Sequence, residues 1–139
     1  MKNIFVEGHR GYCAKYPENT LISYEAAIDL GVDGFEFDIW LSKDKVPVLM
    51  HDGNCKRTCG VDKHLRDMTL AEIKQLDAGF AAKFGTKYIG KGVQVPTLEE
   101  LCQLVSSHLS FRMCSLISSM SMPAALLPYA LRKMSAARL

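Results

Sequence analysis

The chain has 139 residues, with 17 Lys and Arg against 15 Asp and Glu, 48% hydrophobic positions and 9% aromatic ones. These proportions belong to an ordinary globular domain, long enough to bury a core of its own. They exclude a disordered or low-complexity chain and a nucleic-acid binder held by bulk positive charge.

Charge is distributed unevenly. Residues 1–105 hold 13 Lys/Arg and all 15 acids, and Glu100 is the last acid. Residues 106–139 hold four cations, Arg112, Arg132, Lys133 and Arg138, with eight serines and four of the seven methionines. The first stretch is read as the folded unit and the second as an atypical Ser/Met-rich tail. The five cysteines, Cys13, Cys55, Cys59, Cys102 and Cys114, are odd in number and scattered. That usage predicts free thiols in a reducing compartment rather than a disulfide scaffold. Only three apolar residues lie between Asn3 and Glu7, too few for a signal-peptide core, so the expected location is the cytoplasm.

In chain order, residues 4–6 form a short apolar run before Gly8 and predict a buried strand that delivers His9 and Arg10 into a loop. Gly11 and Pro17 break that loop. A helix is predicted over residues 20–30, with Asn19 as N-cap, Leu21, Tyr24 and Ile28 on one face and Gly31 as its stop. Residues 35–41 alternate strictly, with Phe35, Phe37, Ile39 and Leu41 on one side and Glu36, Asp38 and Trp40 on the other, the pattern of a strand. Residues 46–50 form a further apolar run that finishes on His51 and Asp52. Thr69-Leu70-Ala71-Glu72 and Thr97-Leu98-Glu99-Glu100 each match a capping box. The second opens a helix with Leu98, Leu101, Cys102 and Val105 as its apolar stripe. The order strand, helix, strand, strand, helix predicts an α/β fold with parallel pairing.

The chemistry-bearing residues gather where such folds build their sites. His9, Arg10, Glu36, Asp38 and His51 all fall at or near the C-terminal ends of predicted strands. Glu36 and Asp38, at i and i+2, project from one face about 7 Å apart, a reach that lets two carboxylates share one hard cation. A strand apolar on one face and carrying Trp40 beside the acids belongs in a covered sheet, where two carboxylates need a cation or donors. Cys55-x₃-Cys59 followed by His64 offers zinc-ligand types, but the spacing departs from C-x₂-C. Residues 113–131 are 19 uncharged positions, yet four serines, Pro123 and Pro128 interrupt them, which disfavours a membrane helix.

His9-Arg10-Gly11, Pro17-Glu18-Asn19-Thr20, Glu36-Phe37-Asp38, Ser42-Lys43-Asp44 with Pro47 and Val48, His51-Asp52, Arg57-Thr58 and Pro96-Thr97-Leu98-Glu99-Glu100 together resemble the glycerophosphodiester phosphodiesterase family in order and spacing. The resemblance covers residues 4–105. It implies a TIM (β/α)₈ barrel, with residues here for its first three or four βα units. It further implies hydrolysis of glycerophosphodiesters to sn-glycerol 3-phosphate and an alcohol. Carried over by motif, His9 and His51 form the general acid/base pair, Glu36 and Asp38 bind a divalent cation, Mg²⁺ or Ca²⁺, and Arg10 contacts the phosphate. The family's third metal carboxylate falls on the strand after the second capping-box helix, and residues 106–113 contain no acid.

Three readings follow: an active phosphodiesterase, its half barrel completed by pairing with a second copy; a catalytically inactive module that only binds; or a related phospholipase acting on another phosphodiester lipid. The implied partner is a small-molecule glycerophosphodiester, with no nucleic acid.

Overall fold

The computed structural model describes residues 4–80 and 82–108. The uncharged span at 113–131 and the tail from residue 109 onward lie outside them. Strand β1 (Glu7–His9) pairs in parallel with β2 (Gly34–Glu36), and helix α1 (Leu21–Asp29) makes the crossover, a βαβ unit. Strand β3 (Ile39–Leu41) then pairs with β4 (Pro47–Leu49) in the antiparallel sense, Ile39 opposite Leu49 and Leu41 opposite Pro47. The expected parallel pairing therefore holds for the first pair and fails for the second. The connection between β3 and β4 is only a tight turn, closed by Ser42 N–H to Val46 O at 3.0 Å, and parallel neighbours need a crossover of a dozen residues or more.

The continuous strand expected over residues 35–41 is divided. The ladder changes partner between Glu36 and Ile39, from β1 to β4, yet the alternation survives: Phe35, Phe37, Ile39 and Leu41 are all buried. Residues 4–6, expected as a buried strand, precede β1 and are exposed, Ile4 to 83%. Val6 is tied to Asp33 by two 2.8 Å hydrogen bonds, but no described core cluster includes residues 4–6.

Thr20 rather than Asn19 occupies the N-cap position of helix α1, without a side-chain capping hydrogen bond, and Gly31, at φ +77°, takes the left-handed conformation just past its end. Tyr24 and Ala27 turn inward onto Phe35, Phe37 and Ile39, and the far side of that cluster is closed by Leu98, Leu101, Cys102 and Val105 of helix α4 (Leu98–Ser106). Those four are the stripe read from the sequence. Each large apolar side chain so buried contributes about 1.5–3 kcal/mol.

A second cluster lies beneath the irregular stretch after β4. It joins Val48 and Met50 to Cys59 of the single-turn helix α2 (Lys56–Cys59) and to Cys55 just before it, to Ile73 of α3 (Leu70–Ile73), and to Leu65, Val93 and Val95. Both capping boxes form in full: Thr69 with Glu72 opens α3, and Thr97 with Glu100 opens α4. Leu49 N–H donates to Pro96 O at 2.8 Å, which lays the segment entering α4 along the hairpin.

Candidate active site

The parallel register sets the geometry at the outset. His9 is the last residue of β1 and stands opposite Glu36, the last of β2, with His9 Nε2 3.7 Å from Glu36 Oε2. The chain then leaves β1 through two left-handed residues, Arg10 at φ +55° and Gly11 at +79°. Gly11 has no room for a side chain: a Cβ there would lie 2.6 Å from the backbone carbon of Ser23. This turn is anchored on both sides. Arg10 N–H donates to Glu36 O at 3.0 Å, and Arg10 O accepts from Asn19 N–H at 3.1 Å and from the Ser23 hydroxyl at 3.2 Å.

Asp38 follows β2 and is 2% exposed. Its Oδ2 accepts Asn19 Nδ2–H at 3.0 Å and lies 3.2 Å from Arg10 Nε, an ion pair outside hydrogen-bonding alignment. Asn19, itself buried at φ +54°, serves the site rather than the helix. Its Oδ1 accepts both the Tyr24 hydroxyl at 2.7 Å and the Asp38 backbone N–H at 3.3 Å. The Asn19 side chain is thus spent on Tyr24 and Asp38 and gives no cap to α1.

The strand β4 brings in the third segment. Met50 N–H donates to Asp38 O at 3.1 Å, so the chain beyond β4 runs past the acidic end of β2. His51 Nδ1 is 2.7 Å from Asp52 Oδ1, and Trp40 Nε1–H donates to His51 O at 3.1 Å. Asp52 Oδ2 accepts Arg57 Nε–H at 2.5 Å, and the two remaining arms of that guanidinium grip Glu18 at 2.9 and 2.7 Å. Glu18 Oε1 also accepts Arg10 Nη1–H at 3.2 Å. His9 thus meets Glu36, Arg10 links Glu36 to Asp38, and His51 joins them through Asp52, Arg57 and Glu18. No hydrogen bond links the two imidazoles directly.

Electrostatics follow from this arrangement. Burial, then the charge of Asp38, raises the Glu36 carboxyl above its ordinary value. The Arg57 hydrogen bond holds Asp52 below the ordinary range. At Glu18 burial works upward, but the hydrogen bonds and charges of Arg57 and Arg10 prevail and lower it.

Two polar atoms in the site are buried without a hydrogen-bond partner, Glu36 Oε2 and Arg10 Nε. A carboxylate oxygen without a hydrogen-bond donor beside a second carboxylate, both hard donors, fits a divalent cation, and a guanidinium N–H without a hydrogen-bond acceptor fits an anionic oxygen. Among the described residues no group of three or more His, Cys, Asp or Glu is arranged to hold a metal. The zinc reading of Cys55, Cys59 and His64 fails on packing. Cys55 and Cys59 are buried within an apolar cluster, while His64 is exposed and pairs with Asn54 only through the backbone, and the three form no metal-holding group among the described residues.

Glu18, Asn19 and Arg57 carry no assigned role in the sequence reading beyond the cap. They sit in irregular loops, and the Glu18–Arg57 pair spans 39 positions, beyond any local periodicity. The signal available was their presence inside short motifs flanking the histidines.

The model of the glycerophosphoryl diester phosphodiesterase family matches residues 9–122. The chain belongs to this family. The match runs past residue 105. A glycerophosphodiester phosphodiesterase from Caldanaerobacter subterraneus subsp. tengcongensis is 42% identical over 105 residues, covering 76% of this chain and 41% of that protein.

Among solved structures, the glycerophosphodiester phosphodiesterase of Agrobacterium tumefaciens aligns with a TM-score of 0.79 at 28% identity, over 96% of this chain and 53% of that one. An Oleispira antarctica phosphodiesterase, solved with its product sn-glycerol-3-phosphate, aligns with a TM-score of 0.75 at 30% identity over 96% and 51%. The chain therefore spans about two-fifths to one-half of the length of these relatives. In glycerophosphoryl diester phosphodiesterases the fold is a TIM barrel, and the described residues form part of one, with His9 and Glu36 at the C-terminal ends of its first two strands. Among the described residues no helix is long and apolar enough to cross a membrane.

Proposed function

We propose that this chain carries the catalytic histidines, the phosphate-binding arginine and two metal carboxylates of a glycerophosphodiester phosphodiesterase. In this reading the enzyme hydrolyses a glycerophosphodiester to sn-glycerol 3-phosphate and an alcohol. One observation carries it: a Glu36 oxygen and the Arg10 Nε, each buried without a hydrogen-bond partner, lie in one cluster beside a strand-end histidine. That is a cation donor and an anion donor side by side, the complement of a metal-bound phosphate.

The phosphodiester carries a negative charge that repels a nucleophile, and Arg10 neutralises part of it through charge-assisted hydrogen bonds to the phosphate oxygens. One of His9 and His51 removes the proton from the attacking water or hydroxyl. The other donates a proton to the alcohol oxygen as its bond to phosphorus breaks, and an imidazole serves either role near neutral pH. Glu36 and Asp38 would hold Mg²⁺ or Ca²⁺, and such an ion, when bound, supplies positive charge to the phosphate oxygens. The free thiols of Cys13, Cys55, Cys59 and Cys102 support a reducing compartment, the cytoplasm.

The test is a substrate panel of glycerophosphocholine, glycerophosphoethanolamine, lysophospholipid and sphingomyelin, incubated with the purified 139-residue chain and Mg²⁺ or Ca²⁺. Metal-dependent release of sn-glycerol 3-phosphate from the first two is the expected result. No release from either under both ions overturns the reading; cleavage of sphingomyelin alone moves the chain to the related phospholipases.

A further inference from the structure

The charges around the site alternate along one unbroken path. It runs from His51 Nδ1 to Asp52 at 2.7 Å, from Asp52 to Arg57 at 2.5 Å, from Arg57 to Glu18 at 2.7 and 2.9 Å, and from Glu18 to Arg10 at 3.2 Å. We infer that Glu18 and Arg57 are positioning residues of this site, a two-residue clamp that sets the Arg10 guanidinium and the His51 imidazole from one anchor. The inference rests on the phosphodiesterase reading for its kinetic consequences, but its structural content stands apart from it.

Three features argue for positioning rather than a surface ion pair. First, the clamp is geometrically saturated: Arg57 engages Asp52 through Nε and Glu18 through both terminal nitrogens, a planar fork that lysine cannot reproduce. Second, Glu18 is largely buried and spends one oxygen on two arginines, so it fixes the separation of Arg10 and Arg57. Third, an Asp52 carboxylate kept ionised by Arg57 can only accept from His51 Nδ1, which makes Nδ1 the protonated nitrogen and leaves Nε2 free for proton transfer.

Arg10 and His51 reach the site from separate loops, one after β1 and one after β4. Without the clamp they share no direct hydrogen bond, and their relative placement would depend on two irregular segments. A brace with no role in the site would link the loops equally well, so the distinguishing measurement is the state of His51.

The experiment uses the full chain with ¹⁵N-labelled histidine, and the His51 resonances are assigned with His51→Gln. In wild type the neutral His51 imidazole is expected to carry its proton on Nδ1, with Nε2 unprotonated. Glu18→Gln, which keeps shape and removes charge, and Arg57→Lys, which keeps charge and removes the fork, are each expected to shift the tautomer population toward Nε2–H. Near-UV circular dichroism shows that each variant is folded, and the isosteric Glu18→Gln serves if Arg57→Lys is not.

In steady-state assays with glycerophosphocholine, Arg57→Lys lowers kcat roughly 10- to 100-fold with KM near wild type, the scale found for residues that orient a reacting group. Glu18→Gln lowers kcat similarly and raises KM as well, because Arg10 loses its anchor. An Nε2–H tautomer in wild type, or folded variants with an unchanged tautomer population, overturns the inference, as does unchanged kcat in both variants. A chain that hydrolyses nothing overturns the phosphodiesterase reading instead, and the tautomer measurement still decides the clamp.

Discussion

Asn19 and Asp38 hold each other from both sides: Asn19 Nδ2–H donates to the Asp38 carboxylate at 3.0 Å, and Asn19 Oδ1 accepts the Asp38 backbone N–H at 3.3 Å. The same Oδ1 accepts the hydroxyl of Tyr24, a fully buried residue. Asn19→Ala strands that hydroxyl and the Asp38 backbone N–H, leaves the Asp38 carboxylate only its ion pair with Arg10, and places alanine at φ +54°. Losing a partner for buried polar groups costs about 1–3 kcal/mol, so urea denaturation should show the variant less stable by that order. An unchanged midpoint would mean that water replaces Asn19 at no cost.

His9 and His51 separate chemistry from folding. The His9 side chain is 62% exposed and contacts the site only at 3.7 Å, so His9→Ala should leave thermal stability near wild type. Under the phosphodiesterase reading, loss of either imidazole lowers kcat about 10²- to 10⁴-fold. Steady-state kinetics with each alanine variant checks this; full activity in either removes that histidine from the acid/base pair.

Divalent cation binding should be visible without turnover. A ligand that binds only the folded chain raises its stability by about 2.7 kcal/mol at one hundred times its Kd. Differential scanning calorimetry is expected to show a higher Tm with millimolar Mg²⁺ or Ca²⁺, reversed by EDTA, and no such rise in Glu36→Gln or Asp38→Asn. A rise of equal size in both variants would assign the cation elsewhere.

Acid stability follows from Glu18 and Asp52. Both carboxyls are held below their ordinary values in the folded chain, Asp52 by its hydrogen bond to Arg57, and Glu18 by Arg57 and Arg10 against burial. A depressed folded value means that their contribution is complete above the ordinary carboxylate range and is lost as pH falls through the folded values. Unfolding free energy should therefore decline from about pH 5 downward, and decline less steeply in Arg57→Gln. Parallel pH profiles for the two proteins would contradict the shared role of Arg57.

The buried thiols should be inert. Burial raises Cys55 to about 11 and Cys59 to about 12, so neither is a thiolate at neutral pH. Alkylation at pH 7.5 mapped by mass spectrometry is expected to label Cys13, which is half-buried, ahead of both. Rapid native labelling of Cys55 or Cys59 would show that the second cluster opens readily.

Local pattern carried much of the architecture. Alternation from Phe35 to Leu41 identified the buried face, the spacing of Leu98, Leu101, Cys102 and Val105 identified the packed stripe of α4, and both capping boxes form as written. These features depend on residues within a few positions of one another, where backbone geometry alone dictates which side chains share a face.

What the sequence by itself determined is the membership in the phosphodiesterase family, the βαβ order of the first pair, and the gathering of His9, Arg10, Glu36, Asp38 and His51 at strand ends. Only the tertiary structure decided the rest. It split residues 36–39 between a parallel and an antiparallel neighbour, turned Asn19 from a helix cap into the partner of Asp38, and closed the Glu18–Arg57 clamp. Each of these outcomes is a competition among groups distant in sequence for one buried partner, and its winner is fixed by which loops pack side by side.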